Sequence, residues 1–90
     1  MRVFDCEWDD WNVAHISEHD VEPYEVEEVF ASRPFQRKVK EGKYIAFGQS
    51  HAGRFLTVVF AYREQGRAYP ITARDSTWKE RKYAKAKKKW

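Results

Sequence analysis

Cysteine is nearly absent from this chain of 90 residues: Cys6 stands alone, so no internal disulfide can form. A single thiol fits a reducing cytoplasm. Its place in an expected strand makes it a buried, inert side chain rather than a nucleophile. No apolar run approaches the roughly 18–20 residues needed to cross a bilayer. The longest, Phe55 to Tyr62, is strand-sized and interrupted by Thr57. The opening MRVFDCEWDD contains no apolar signal segment, so no secretory leader and no membrane association are expected. Repeats and linkers are missing too, and the length allows one domain, 1–90, with one modest core.

What is present argues for a folded chain. Hydrophobic residues make up 42% and aromatic residues 17%, too much for a disordered tail. The net charge of +3 conceals an asymmetry: residues 1–30 carry ten acids and one base, net −9, and residues 31–90 carry four acids and sixteen bases, net +12. Such a division points to a polyanion-binding surface, or to an acidic half folded over a basic one. Seven of the sixteen bases lie between Lys79 and Lys89, too dense for complete cancellation.

Periodicity divides the chain into eight elements. Arg2 to Glu7 reads as a short strand. Asp9 and Asp10 offer N-caps to a first helix with a stripe of Trp11, Val13, Ala14 and Ile16, ending near His19. Pro23 suits the first turn of a second helix, with Val26, Val29 and Phe30 on one face and Pro34 beyond its end. The period then becomes two. Phe35–Val39, Tyr44–Gln49, Phe55–Arg63 and Arg67–Ala73 read as strands joined by short Gly-containing connections, which force an antiparallel meander. Phe55 to Ala61 is the most apolar strand and is expected at the centre. Pro70 requires an edge position or a bulge. Thr77-Trp-Lys-Glu80 fits a capping box before a third, basic helix reaching near Lys87. The lysine-rich end, 85–90, has the composition of a segment that need not be ordered, and Trp90 is expected to be loose or docked on a partner. The expected fold is α+β: a twisted, mainly antiparallel sheet of four to five strands, with two N-terminal helices and a basic C-terminal helix, all on one face.

Three segments carry a family resemblance. WDDWNVAHISEHDVEPYEVEEVF resembles the N-terminal "W-D … N … KHGV … EA-EVF" stretch of the BrnT family, ribonuclease toxins of type II toxin–antitoxin pairs. GQSHAGRFLTVVF resembles that family's "G-x-(S/T)-x-x-GR-L-x-V-V-(F/Y)" hairpin. ITARDSTWKERKYAK resembles its "I(S/T)AR-x-(A/S/M)-(T/S)-x-KE-(R/K)-x-x-Y" ending. The similarity runs in order over nearly the whole chain. Two positions depart from it: Asp20 follows His19 where the family has glycine, and Pro70 precedes Ile71 in place of an ordinary strand residue. The resemblance implies a fold similar to the RelE toxins, an RNA-cleaving activity that stops translation, and a BrnA-like ribbon-helix-helix antitoxin. That antitoxin would contact operator DNA on behalf of the complex.

RNA carries its own nucleophile, the 2′-hydroxyl, so its cleavage requires no metal or other cofactor. A protein contributes by stabilising the phosphorane and moving two protons. Arg74 is the leading candidate, since its fork matches phosphate oxygens and the resemblance assigns the family's arginine there. An ion pair with Asp75, Glu80 or an N-terminal carboxylate accounts for the same residue equally well. Arg54 is a second candidate for phosphate, with a solvated hairpin-edge arginine as the simpler account. By the resemblance Glu80 is a candidate general base, although the capping box explains it without catalysis. Tyr83 and His19 are candidate proton-transfer groups, each explained also by partial burial. Lys43, Lys79, Arg81, Lys82 and Lys85 are assigned to the RNA backbone.

The i, i+4 pair His15 and His19 is a metal motif that no further histidine or cysteine completes, so no metal site is expected. Trp8, Trp11 and Trp78 can stack on bases or close the core. Three readings follow: a metal-independent endoribonuclease toxin, a non-catalytic nucleic-acid-binding module, and a protein-interaction domain whose basic surface receives an acidic segment.

Overall fold

The computed structural model describes residues 2–88. In chain order the elements are β1 (Asp5–Cys6), α1 (Asp10–Ser17), α2 (Pro23–Ala31), β2 (Phe35–Lys40), β3 (Lys43–Gln49), β4 (Phe55–Tyr62), β5 (Arg67–Asp75) and α3 (Trp78–Lys88). The five strands form one sheet in the order β1-β5-β4-β3-β2, which puts the apolar β4 at the centre as its composition requires. β2 to β5 are an antiparallel meander. β1 pairs in parallel with β5, so the sheet is mixed. Two helices follow β1, and the short-connection rule does not apply to it.

The Pro70 problem is solved by a bulge. Val59 faces Thr72 and Phe60 faces Pro70, leaving Ile71 as the extra residue. β5 is therefore internal yet tolerates a proline. The Pro70 carbonyl accepts from the buried Asn12 side chain at 2.9 Å.

Alternation along β4 generates two apolar faces. Leu56, Val58 and Phe60 point towards α1 and α2, where they pack with Ile16, Val26, Val29 and Phe30. Phe30 meets Phe60 edge to face at 5.0 Å between centroids. On the opposite face Phe47 and Phe35 receive the Tyr83 ring of α3, each at 5.8 Å. The expectation that all helices share one face is thus corrected. β4 is apolar on both sides, and a sheet with two apolar faces needs cover on both.

The first helix also differs from its expected stripe. Asn12 and Ile16 are buried, whereas Trp11 is 56% exposed and Val13 and Ala14 face solvent. Asn12 earns burial because each polar group finds a partner. Its amide donates to the Glu7 and Pro70 carbonyls, and its Oδ1 accepts from the Asp9 N–H. α1 ends at Ser17, and Asp20 in the following turn has φ of +57°, a left-handed position that glycine or aspartate tolerates. Gly48 has a different reason to lack a side chain: a Cβ there would lie 2.9 Å from Val29 and 3.0 Å from Pro34. At the chain end α3 continues to Lys88. The expectation for Trp90 lies outside the described residues.

Candidate active site

β5 ends and α3 begins at a corner built by local sequence. Thr77 caps α3: its Oγ1 accepts from the Glu80 N–H at 3.1 Å, and Glu80 Oε1 accepts from the Thr77 N–H at 2.8 Å. This reciprocal pair fixes the Glu80 carboxylate beside the sheet. Arg74 pairs with Thr57 across the ladder and projects on the α3 side. It meets Glu80 fork to fork, Nη1 to Oε1 and Nη2 to Oε2, both at 2.7 Å. Nη1 also reaches the Asp75 carbonyl at 3.3 Å. The Nε–H and the second Nη2–H have no acceptor among the described residues, so one edge of the guanidinium remains open on a side chain that is 41% exposed. Thr57 Oγ1 donates to Glu80 at 3.1 Å and shares a 2.8 Å hydrogen bond with Ser76 Oγ.

These contacts govern the charge of the carboxyl. The Arg74 guanidinium foremost, then the Thr77 N–H and the Thr57 hydroxyl, hold the Glu80 pKa down at about 2 against the penalty of burial. Glu80 is thus an anion whose oxygens are already engaged.

Arg54 behaves differently. Nε and Nη2 hold the two Asp75 oxygens at 2.7 and 3.3 Å, Nη1 reaches Glu25 at 3.0 Å and the Asp20 carbonyl at 2.7 Å, and Nη2 reaches the His19 carbonyl at 3.3 Å. Every N–H is used. The hairpin-edge arginine expected to be solvated is instead a knot joining α2, the turn after α1 and the end of β5.

The corner thus holds a clamped arginine with one open edge, beside a basic helix. The family model "Ribonuclease toxin, BrnT, of type II toxin-antitoxin system" matches residues 8–80. This chain belongs to the BrnT family. A toxin of such a system is paired with an antitoxin, and a ribonuclease acts on RNA. The fold is similar to the crystal structure of the Brucella abortus ribonuclease toxin BrnT. That match has a TM-score of 0.66 and 15% identity, covering 83% of this chain and 99% of that one. No curated protein matches.

The other candidate residues of this BrnT-family chain are dispersed. His19 lies in the turn beyond α1, tied to the corner through its own carbonyl and Arg54. Because α1 stops at Ser17, His15 and His19 do not share a helical face, and the His15 ring stacks on Trp11 at 4.8 Å. Among the described residues no group of three or more His, Cys, Asp or Glu side chains is arranged to hold a metal ion. Tyr83 is half-buried on the β2 side of α3, its hydroxyl accepting from Arg37 Nη1 at 3.3 Å. Lys43 opens β3 on the α3 side of the sheet, about 13 Å along the strand from Phe47. Lys79, Arg81, Lys82 and Lys85 are all exposed on α3.

Thr57, Ser76 and Arg37 were not expected at the site. Only Thr57 left a signal, as the lone hydroxyl in an apolar strand. Two further expectations change. Trp78 does not close the core but is 70% exposed. Cys6 is only partly covered, yet burial first, then Glu27 and Asp5, pushes its thiol up to about 12, which leaves it inert at neutral pH.

Proposed function

We propose that this chain is a metal-independent endoribonuclease toxin, cutting RNA at the Arg74 corner. The 2′-hydroxyl oxygen bonds to the adjacent phosphorus as the P–O5′ bond breaks. The 2′ proton leaves to a base and a second proton goes to O5′, giving a 2′,3′-cyclic phosphate and a 5′-hydroxyl. The observation that carries this reading is the open edge of Arg74: its remaining Nε–H and Nη2–H form a second fork suited to two phosphate oxygens. Glu80 holds that fork in position, and Thr57 and Ser76 hold Glu80. Arg54 joins the His19 turn to Asp75 and so braces the end of β5 that carries Arg74. Tyr83 with Arg37, and Lys43, Lys79, Arg81, Lys82 and Lys85, line the path of the RNA backbone. The action is of the RelE kind, stopping translation in the cytoplasm, and is held in check by a BrnA-like ribbon-helix-helix antitoxin through which the complex reaches operator DNA.

One observation favours the second reading, a binding module that does not cut. Both oxygens of Glu80 are occupied, so the carboxylate at the corner is a poor base. Incubation of the antitoxin-free protein with 5′-labelled RNA in excess EDTA, beside Arg74→Ala, separates the two. Cyclic-phosphate ends that vanish in the variant support the nuclease. RNA retained intact at low salt supports the module.

A further inference from the structure

α3 presents one face to the sheet and another to solvent. Glu80, Tyr83 and Ala84 face the sheet. Trp78, Arg81, Lys82 and Lys85, at i, i+3, i+4 and i+7, form a second stripe. That stripe and Phe55 line a groove of about 510 Å³, within the size range of sites that take a small organic group. The Arg81 guanidinium lies 4.2 Å from the Phe55 ring centroid, and the Lys82 ammonium 5.0 Å from the Trp78 ring. Trp78 is 70% exposed, a large aromatic surface left in water where a folded chain would ordinarily cover it.

The charges here are unlike those of the arginines that brace the fold. Arg54, Arg63, Arg67 and Arg74 are each paired with a carboxylate. Arg81, Lys82 and Lys85 have no ion-pair partner among the described residues. An aromatic platform flanked by unneutralised cations matches a base attached to its phosphates, because a base stacks on the ring while its phosphates take the cations.

We infer that the Trp78–Phe55 groove is a nucleobase subsite for single-stranded RNA, separate from the cutting corner. The base stacks on the Trp78 indole, displacing the Lys82 ammonium onto the backbone. Arg81, already levelled against Phe55, offers its edge to a neighbouring phosphate. The groove thereby sets which stretch of strand lies beside Arg74. The inference rests on the ribonuclease reading for its choice of RNA, but its test does not require cutting.

The test uses a short fluorescein-labelled 2′-O-methyl RNA, which lacks the attacking hydroxyl, and an abasic counterpart of equal charge, followed by anisotropy. Wild type should prefer the base-bearing strand by on the order of tenfold, the worth of one base–aromatic stack. Trp78→Ala should bring the ratio near one, and Trp78→Phe should retain most of it; thermal melts verify that both fold. Arg74→Ala should keep the preference while losing cleavage of ordinary RNA. An unchanged ratio in Trp78→Ala, or none in wild type, overturns the subsite even if the protein cuts RNA. A Glu-rich peptide that binds through Trp78 when the oligonucleotide does not would make the groove a protein-docking site and overturn it equally. Base preference in a wild type that never cuts supports the subsite and removes the ribonuclease reading alone.

Discussion

Arg74 and Glu80 are six residues apart and meet through two 2.7 Å hydrogen bonds, one per carboxylate oxygen. The pair spans the junction of β5 with α3, so a strand and a helix are locked at a fixed angle by one guanidinium. Only one edge of that guanidinium is consumed. The corner is a structural joint, and its proposed second role as an anion site can be tested separately from the first.

Arg74→Ala should lower RNA cleavage by about 10²–10³-fold, the cost of losing one preorganised charge-stabilising donor. Arg74→Lys should recover little, because an ammonium cannot serve a carboxylate and a phosphate through two forks at once. Single-turnover cleavage assays of both variants provide the check. Full activity in Arg74→Lys would move the chemistry elsewhere.

Glu80 should make stability depend on acid. Its pKa is about 2 in the folded protein, below the usual 4.5. Its contribution is therefore complete above pH 4.5 and fades as pH falls through 2. Glu80→Gln should melt at a lower temperature than wild type at neutral pH, with the two curves converging towards pH 2. Parallel curves across that window would mean that Arg74 does not hold the carboxylate in solution.

Arg54→Ala should destabilise the fold by about 2–3 kcal/mol, since it leaves Glu25 and two turn carbonyls without their donor. Urea denaturation measures this directly. Per folded molecule, cleavage should fall far less than in Arg74→Ala. A stable Arg54→Ala protein that cuts nothing would assign this arginine to the reaction itself.

Asn12→Ala should cost about 3 kcal/mol by leaving the Glu7 and Pro70 carbonyls without their donor. Asn12→Asp should be worse, because it faces an anion towards the same two oxygens. Thermal melts rank the three proteins, and wild-type stability in Asn12→Ala would show that water replaces the amide.

Much of the local architecture was legible beforehand. The Thr77–Glu80 capping box, the meander with β4 at its centre and the need for an edge or a bulge at Pro70 all depend on residues near in sequence. Partner choice was not legible. Arg54 and Arg74 are both basic residues at strand ends, yet one is saturated by acids and carbonyls from distant segments and the other keeps an open edge. The Asn12 face of α1 was missed for a similar reason. A buried asparagine is favourable only when the Pro70 carbonyl, far along the chain, is there to receive it.

The sequence by itself determined the elements, their order, the antiparallel meander and the concentration of positive charge on α3. Those follow from backbone preferences, apolar period and short connections, which act over a few residues. Only the tertiary structure decided that α3 covers the face opposite α1 and α2, that β1 joins in parallel, and which cations remain unneutralised. Those outcomes depend on packing two apolar sheet faces and on through-space electrostatics, where residues far apart in the chain compete for the same partners.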